Sequence, residues 1–421
     1  MNHFDYRDGA LHCEDVALSR IAAEVGTPVY VYSTATFRRH AQVFRDGLKG
    51  VGNRVHLAYA IKANPNVAVL RVLADEGYGA DVVSGGEMAR ALAAGIPAAD
   101  IVFSGVGKTR AELARGVDEG IGQFNLELEE EGVVLAQIAH AKGKRARATL
   151  RVNPDVDAGT HAKISTGRAE NKFGVPIDQA PAMFDRLAPL DGLDLTGVAC
   201  HIGSQLSDLS RLEEAYRRIG RLVETLRAAG HTITRVDLGG GLGVPYKAGD
   251  ELPSPADYGA MVARVTQGWD VELMFEPGRV IAGNAGVLLT EVVWVKPGVT
   301  NPYVIVDAAM NDLARPALYD AWHDFAAVEP TGERMTANIA GPVCESGDTF
   351  AMGREIDTVK SGDLAVFRTA GAYGATMAST YNSRDLVPEV LVDGDRYAVV
   401  ADRIAAETIL AAERVPEWLK A

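Results

Sequence analysis

An alternation of short apolar runs and helical segments between about residues 55 and 278 constrains the fold more than any other feature of this chain. Each apolar run ends in polar or glycine residues, and a helical segment follows it. Eight such runs over roughly 220–250 residues are typical of a (β/α)8 TIM barrel, whose parallel strands are buried on both faces. The predicted strands span 55–62, 79–84, 101–105, 123–127, 147–153, 195–202, 235–239 and 272–276.

After about residue 281 the pattern changes to short strands and turns, which predicts a second domain of the β-sandwich or β-barrel type. Its predicted strands span 287–294, 303–306, 335–340, 364–368, 389–392 and 397–400. Residues 28–32 also read as a strand, and we expect it to join this domain because chain ends often lie close together. We therefore predict an N-terminal segment (1–35), a barrel (36–280) and a C-terminal β domain (281–421).

Two of the predicted helices have readable starts. Ser84 with Glu87, and Ser210 with Glu213, fit the capping-box pattern, in which each residue of the pair bonds to the backbone of the other. The second of these helices carries one continuous apolar stripe, which predicts that this face is buried.

Composition excludes several classes of protein. The 421 residues carry a formal net charge of −14 with a pI near 5.2, which argues against a general binder of nucleic acid or anionic membranes. The N-terminus has no signal-peptide pattern, and no apolar run is long enough to span a bilayer. Cys13, Cys200 and Cys344 are too few and too scattered for a disulfide framework or a zinc site, so we expect a cytoplasmic protein without a metal.

Unusual groups recur where the predicted strands end, which is where barrels carry their chemistry. These groups are Lys62 on strand 1, His201 and Ser204 on strand 6, Gly239, Gly240 and Gly241 on strand 7, and Glu276 and Arg279 on strand 8. Each has an ordinary structural explanation when taken alone: a snorkelling lysine, a solvent-facing histidine, a glycine turn or a surface ion pair. Four such groups on one rim favour an active site. A desolvated lysine at the end of a buried strand is a candidate Schiff-base nucleophile.

Together these groups indicate pyridoxal 5′-phosphate, a cofactor with an aldehyde, a phosphate and a ring nitrogen. We expect Lys62 to bond to the aldehyde, and the glycine backbone with the Ser204 hydroxyl to hold the phosphate. Glu276 would pair with the ring nitrogen and keep it protonated, which makes the ring a stronger electron sink. His201 would stack on the ring and limit its motion.

The chain resembles the barrel-type pyridoxal-phosphate-dependent amino-acid decarboxylases (alanine racemase-like, fold type III), and within them the diaminopimelate decarboxylases. The superfamily's cofactor motifs are matched at 58–64 (AYAIKAN), 201–204 (HIGS), 239–241 (GGG) and 276–279 (EPGR). The diaminopimelate subgroup is matched at 157–161 (DAGTH), 170–174 (ENKFG), 311–319 (NDLARPALY), 341–348 (GPVCESGD) and 371–374 (GAYG). The resemblance covers nearly the whole chain. It implies a barrel plus a β domain in a head-to-tail homodimer, with further cofactor contacts from Asp81, Pro277, Gly278, Arg279 and Tyr373.

The expected substrate, meso-2,6-diaminopimelate, has an amino and a carboxylate group at each end. The protein must therefore bind the distal end, whose carboxylate is not lost as CO2. Forked guanidinium donors suit a carboxylate, which favours Arg279 and Arg315, with Tyr319 as a further donor. Glu345 could pair with the distal ammonium, and Tyr373 belongs to the same substrate site by resemblance. Two alternatives stay open: Arg315 could be a surface charge, and Arg279 could serve the phosphate.

Cys344 is the expected proton donor once CO2 has left. A free cysteine is more often an inert core residue, but the neighbouring glycines, proline and Glu345 predict a loop. The resemblance implies that Cys344 and Glu345 of one chain complete the site built on Lys62 of the other.

We therefore expect a lyase that converts meso-2,6-diaminopimelate to L-lysine and CO2, the last step of lysine biosynthesis. The nearest alternative is a decarboxylase of ornithine, arginine or carboxynorspermidine. Such relatives typically have Cys-Asp in place of Cys344-Glu345, and ornithine lacks the distal carboxylate that Arg315 would bind. A non-catalytic relative that binds a partner, a simple cofactor carrier or a racemase agrees less well with this combination of Lys62, Glu276 and Cys344.

Overall fold

Eight parallel strands close into a barrel in the computed structural model, which describes residues 2–157, 172–247 and 249–420. Neighbouring strands pair in chain order, and the first strand also pairs with the eighth. The predicted (β/α)8 barrel is confirmed, although most strands end one to three residues earlier than expected. The strands are Arg54–Ala60, Gly79–Val82, Ile101–Phe103, Gln123–Leu126, Ala146–Asn153, Leu193–Ala199, Arg235–Asp237 and Glu272–Phe275.

A helix follows each barrel strand, and one long helix precedes the first strand. Because all the strands run in parallel, their carboxyl ends meet on one rim, and the loops to the helices start there. The helices are Thr34–Gly47, Val67–Asp75, Gly85–Ala93, Arg110–Glu119, Glu129–Ala141, Ala180–Leu187, Leu209–Ala228, Pro255–Val265 and Arg279–Ala282.

The starts of two helices correct the sequence prediction. The helix after the sixth strand is capped by Asp208, whose carboxylate accepts the N–H of Ser210 at 2.8 Å, so the capping box at Ser210 is wrong. Ser84 does cap its helix by accepting the N–H of Glu87 at 3.2 Å. The Glu87 carboxylate, however, accepts the N–H of Val83, which leaves that box incomplete. The apolar stripe on the helix after the sixth strand is buried, as predicted.

The β-sheet unit is built on strands from both ends of the chain. Val29–Ser33, buried along its whole length, lies between Gly286–Lys296, to which it is antiparallel, and Glu389–Asp393, to which it is parallel. The prediction that the N-terminal strand joins the C-terminal domain is therefore confirmed. The core beneath it is made mainly of valine and leucine side chains from both sequence regions.

The remaining strands extend this sheet on both sides. Its order is Thr349–Asp357, Arg334–Ala340, Tyr303–Val306, Gly286–Lys296, Val29–Ser33, Glu389–Asp393 and Arg396–Ala401, with Leu364–Phe367 and Phe325–Ala327 branching from Gly286–Lys296. Short elements complete the unit: the strands Phe4–Arg7, Ala10–Cys13 and Val16–Ala17 and the helices Leu18–Val25, Arg315–Tyr319 and Ala406–Leu410.

The chain divides into two compact units, one of residues 38–245 and 249–281 and one of residues 1–37, 246–248 and 282–421. The boundaries drawn from the sequence lie at 35/36 and 280/281. Two motifs of the sequence analysis extend beyond the described residues, which exclude 158–161 of the 157–161 motif and 170–171 of the 170–174 motif. In the part of the chain that the structure describes, no helix has the length and apolar character needed to cross a bilayer. No cluster of three or more His, Cys, Asp or Glu residues suited to a metal ion occurs there either.

Candidate active site

Lys62 lies just beyond the first barrel strand, against a buried carboxylate. Its Nζ is 2.7 Å from Oδ2 of Asp81, which stands at the end of the second strand. Asp81 is fully buried, and its Oδ1 has no hydrogen-bond partner among the described residues. The Lys62 side chain is 39% exposed, so the predicted desolvation of this lysine is wrong. An ion pair, and not burial, orients its ammonium group.

The glycine loop after the seventh strand approaches its neighbours too closely for side chains. A Cβ on Gly240 would lie 2.3 Å from the carbonyl oxygen of Glu276. A Cβ on Gly241 would lie 2.4 Å from that of Gly203, and Gly241 has a φ of +113°, which favours glycine. Ser204 is half-buried beside this contact, in the loop after the sixth strand. The two loops therefore offer backbone and hydroxyl groups at one place on the rim.

His201 is neutral, and the glycine loop orients its ring. Nδ1 accepts the N–H of Gly240 at 3.2 Å, so the ring proton is on Nε2. Burial lowers the pKa of His201 to about 3, and the positive charges of Arg151 and Lys62 act in the same direction. The Gly239 N–H also has an acceptor inside the barrel. An uncharged imidazole can lie against an aromatic ring without adding a second cation beside Lys62.

The segment after the eighth strand packs against the turn that carries the lysine. The carbonyl of Pro277 accepts the N–H of Ala60 at 3.1 Å, and a Cβ on Gly278 would lie 3.1 Å from the Cβ of Ala60. Glu276 and Arg279 are both buried. The alternative that they form a surface ion pair is therefore wrong.

Glu276 also borders a cavity of about 10 Å³, enough for one water molecule. Burial raises the pKa of its carboxyl well above the ordinary range, and the negative charges of Asp237 and Asp81 act in the same direction. The cavity is lined by Ser104, Asn125, Arg151, Ala199, Cys200, His201, Asp237 and Glu276.

In the β-sheet unit, Arg315 is buried beside two aromatic side chains. Its Nη1 donates to Nε2 of His323 at 2.9 Å, and its guanidinium lies 4.7 Å from the centre of the Tyr246 ring. His323 can accept there because its Nδ1 donates to the carbonyl of Arg368 at 2.9 Å. Arg315 is therefore not a surface charge. Tyr319, at the end of the same short helix, is half-buried.

Cys344 and Glu345 lie on an exposed loop that a buried aspartate organises. The carboxylate of Asp348 accepts the N–H groups of Val343 at 2.7 Å and of Met310 at 2.6 Å. Burial raises the pKa of Asp348, while these two hydrogen bonds lower it. The Cys344 thiol is exposed, so the alternative of an inert core cysteine is wrong.

Asn382 and Tyr381 contact this loop, and Tyr373 belongs to a separate predicted motif of the same unit. The N–H of Cys344 donates to Oδ1 of Asn382 at 3.1 Å. A hydrogen bond to the Glu345 carboxylate raises the pKa of the Tyr381 hydroxyl. Tyr373 is half-buried with a φ of +55°, a backbone conformation that bulky residues rarely adopt and that often marks functional sites.

The predicted site residues thus fall into two groups. The barrel rim carries Lys62, Asp81, His201, Ser204, Gly239, Gly240, Gly241, Glu276, Pro277, Gly278 and Arg279. The β-sheet unit carries Arg315, Tyr319, Cys344, Glu345 and Tyr373. The sequence analysis missed the polar residues that support both groups, namely Asn125, Arg151, Asp237, His323 and Asp348. A single polar residue inside an apolar strand, such as Asn125 between Phe124 and Leu126, is the signal that could have indicated them.

The residues on the barrel rim fit pyridoxal phosphate. An ammonium group lies beside a buried carboxylate that has an unused acceptor, a neutral imidazole borders the same cavity as a carboxyl group, and a glycine loop closes that side of the rim. When bound, pyridoxal phosphate supplies a conjugated ring that accepts the electron pair released as CO2 leaves.

Comparison with known proteins agrees with this site. The family described as pyridoxal-dependent decarboxylase, pyridoxal binding domain, matches residues 34–283. A diaminopimelate decarboxylase of Zymomonas mobilis is 50% identical over 420 residues, which are 99% of each chain. That of Pseudomonas aeruginosa is 48% identical, with 98% of this chain and 99% of the relative covered. This chain belongs to the diaminopimelate decarboxylase family.

The structure of a family member agrees with the fold. Diaminopimelate decarboxylase from M. jannaschii, solved in co-complex with L-lysine, superposes with a TM-score of 0.94 at 34% identity, and all of each chain is covered. Diaminopimelate decarboxylases are carboxy-lyases that use pyridoxal phosphate. The family and the cofactor expected from the sequence are therefore both confirmed.

Proposed function

We propose that this chain decarboxylates meso-2,6-diaminopimelate to L-lysine and CO2, the last step of lysine biosynthesis. Full-length similarity to diaminopimelate decarboxylases supports the substrate. The observation that carries the chemistry is the pairing of Lys62 with the buried Asp81 on the same rim as the glycine loop and Glu276. Lys62 is the attachment point for the cofactor, and the ion pair aims its Nζ.

The other residues of the barrel rim orient the cofactor. Ser204 and the backbone of the glycine loop would hold the phosphate, and Glu276 would pair with the ring nitrogen. His201 would stack against the ring without competing for a proton, because burial keeps it neutral throughout the physiological pH range. Arg279, buried next to Gly278, serves either the phosphate or a substrate carboxylate.

The residues of the β-sheet unit bind the substrate and return a proton to it. Arg315, held by His323 and the Tyr246 ring, binds the distal carboxylate together with Tyr319. Glu345 pairs with the distal ammonium. Cys344, exposed on its loop, protonates the carbon from which CO2 has left.

We also propose that the protein is a cytoplasmic homodimer whose active sites lie at the interface, with Cys344 and Glu345 supplied by the partner chain. The support is the resemblance of the 341–348 motif to that of the family. The domain boundaries at 35/36 and 280/281 belong to the same proposal.

Release of CO2 and formation of lysine from meso-2,6-diaminopimelate, measured beside ornithine, arginine and carboxynorspermidine, test the substrate. We expect turnover of diaminopimelate alone. In Glu276→Gln the side chain keeps nearly the same shape but loses its carboxyl group. This matched control should bind the cofactor and turn over the substrate far more slowly. Preferential release of CO2 from ornithine or arginine would assign the chain to the neighbouring decarboxylases.

A further inference from the structure

The interior of this barrel is polar beneath Glu276. Barrel interiors are usually filled by branched apolar side chains, yet Gln123, Asn125, Thr149 and Asp237 all point into this one and are buried. A buried polar group costs about 1–3 kcal/mol unless it is hydrogen-bonded, so four of them in one cluster require an explanation.

Asn125 joins two carboxyl groups in this cluster. Its Nδ2 lies 3.1 Å from Oδ2 of Asp237 and 3.3 Å from Oε1 of Glu276, and it shares its two hydrogens with Oγ of Ser104 at 3.0 Å. Its Oδ1 accepts from Oγ1 of Thr149 at 2.5 Å and from Nε2 of Gln123 at 2.7 Å. Because donors occupy the oxygen side of the amide, the NH2 group must face the two carboxyls.

The two carboxyl groups lie close together because both accept from the same Nδ2 of Asn125, and burial raises the pKa of each, which favours one proton between them. Asp237 accepts the N–H of Gly239 at 2.9 Å and the side-chain amides of Asn125 and Gln123, so its ionised form is stabilised. Glu276 accepts weaker bonds, at 3.3 Å from Asn125 and 3.4 Å from Ser104. The shared proton therefore resides on Glu276.

We propose that Asp237 and Asn125 are positioning residues that hold Glu276 as one half of a singly protonated carboxyl pair, so that one negative charge, shared by two groups, faces the cofactor's ring nitrogen. This inference rests on the proposed function, in which the ring nitrogen meets Glu276. A pair with one charge matches a protonated ring nitrogen, and two ionised carboxylates would not. Through the Gly239 N–H, Asp237 also ties this pair to the start of the glycine loop.

Other titratable groups surround the pair. Asp81 and Lys62 face it from the first two strands, Arg151 and Cys200 from the fifth and sixth, with His201 on the same cavity, and Tyr216 and Tyr258 from the helix layer. Both tyrosine hydroxyls and the cysteine thiol stay protonated because burial raises their pKa.

Infrared difference spectra between the cofactor-free protein and its Glu276→Gln variant at about pH 7 test the pair, because exposed carboxyls are ionised at this pH and other protonated carboxyls, such as that of Asp312, cancel between the two proteins. We expect a protonated-carboxyl band that shifts in D2O, and its loss in Glu276→Gln. Asp237→Asn should lose the band at a lower pH than the unaltered protein does, because the negative charge of Asp237 then no longer opposes ionisation of Glu276 while the burial remains. Thr149→Val is the matched control: it removes a hydrogen bond from Asn125 without touching either carboxyl, and it should keep the band.

Retention of the band in Glu276→Gln would overturn the inference, and this outcome does not depend on whether Asp237→Asn folds. Equal loss in Thr149→Val would also overturn it, because the network would then be merely structural. Titration with pyridoxal phosphate separates the two proposals. A protein that shows the band but binds no cofactor refutes the function and keeps the pair, whereas an active enzyme without the band refutes the pair alone.

Discussion

Lys108→Met should destabilise the barrel unit more than most single substitutions would. Lys108 follows the third strand, and its side chain is 1% exposed. Its ammonium donates to the carbonyls of Gly105 at 2.7 Å and Asn125 at 2.8 Å, and to Oε1 of Glu131 at 2.6 Å. All three of its N–H groups are therefore used. Met fills a similar volume but leaves the Glu131 carboxylate buried without its cation.

The magnitude follows from that burial. Removing one partner of a buried ion pair typically costs about 3–5 kcal/mol. For a domain of this size each kcal/mol lowers the melting temperature by about 2–4 °C, so a fall of roughly 10 °C is expected. Scanning calorimetry at a fixed cofactor concentration measures the shift. Glu131→Gln and the double variant complete a mutant cycle, in which the double variant should be more stable than Lys108→Met.

The pH dependence gives this prediction a second readout. Burial raises the pKa of Glu131, and Lys108 lowers it. Without Lys108 the pKa rises further, so the folded state binds a proton that the unfolded state releases above about pH 4.3. Stability of Lys108→Met should therefore fall more steeply with rising pH than that of the unaltered protein. A loss under about 1 kcal/mol, or a loss independent of pH, would refute the reasoning.

Three further predictions concern the site and its supports. Arg315→Met should raise KM for diaminopimelate about 10- to 100-fold, because a charged hydrogen bond is worth roughly 1.5–3 kcal/mol, and Arg315→Lys should restore only part of the lost affinity. Unaltered kinetics would remove Arg315 from the substrate site. Lys62→Ala and Cys344→Ala proteins should each be nearly inactive, yet their mixture should recover about a quarter of the normal rate, because about half the dimers are mixed and each mixed dimer has one intact site. No recovery despite subunit exchange would place both residues in the site of one chain. Burial raises the pKa of Asp312 from 3.8 to about 7, so its contribution to the free energy of unfolding, at most about 4 kcal/mol, is lost as pH rises from about 4 to 7. Thermal melts of Asp312→Asn should show a smaller fall over that range, and an equal fall would show that Asp312 is ionised there.

The barrel was predictable because parallel strands buried on both faces give continuous apolar runs. The helices between them carry apolar residues every three to four positions, which marks the face that is buried. The strand Thr349–Asp357 was missed because Gly353, Arg354 and Glu355 interrupt its apolar pattern. Phe325–Ala327 was missed because three residues carry no readable period.

The rim residues were predictable because Lys62, His201 and Glu276 each directly follow an apolar run. The polar residues that orient the site were not predictable, because their partners are far away in the sequence. Asp237 contacts Asn125 across 112 residues, and His323, which orients Arg315, is itself held by Arg368, 45 residues further on. Spacing along the chain does not reveal which polar residues the barrel interior or the sheet brings together. The environment of Lys62 was misjudged for the same reason. Its ammonium is held by an ion pair with Asp81, which forms because two strands are neighbours in the barrel.

The sheet of the second unit also affects how the chain can be synthesised. Tyr30 pairs with Glu389, which leaves the ribosome 359 residues later, a delay of roughly 20–70 s at usual rates of elongation. Val29–Ser33, a run of valines and tyrosines that is wholly buried in the finished sheet, has neither of its neighbouring strands until Gly286–Lys296 is made. It then has only that one neighbour until Glu389–Asp393 follows. Such an unpaired apolar strand is a template for intermolecular association. Co-expressed chaperones and a lower expression temperature should therefore raise the yield of folded full-length protein more than they raise that of the barrel residues expressed alone.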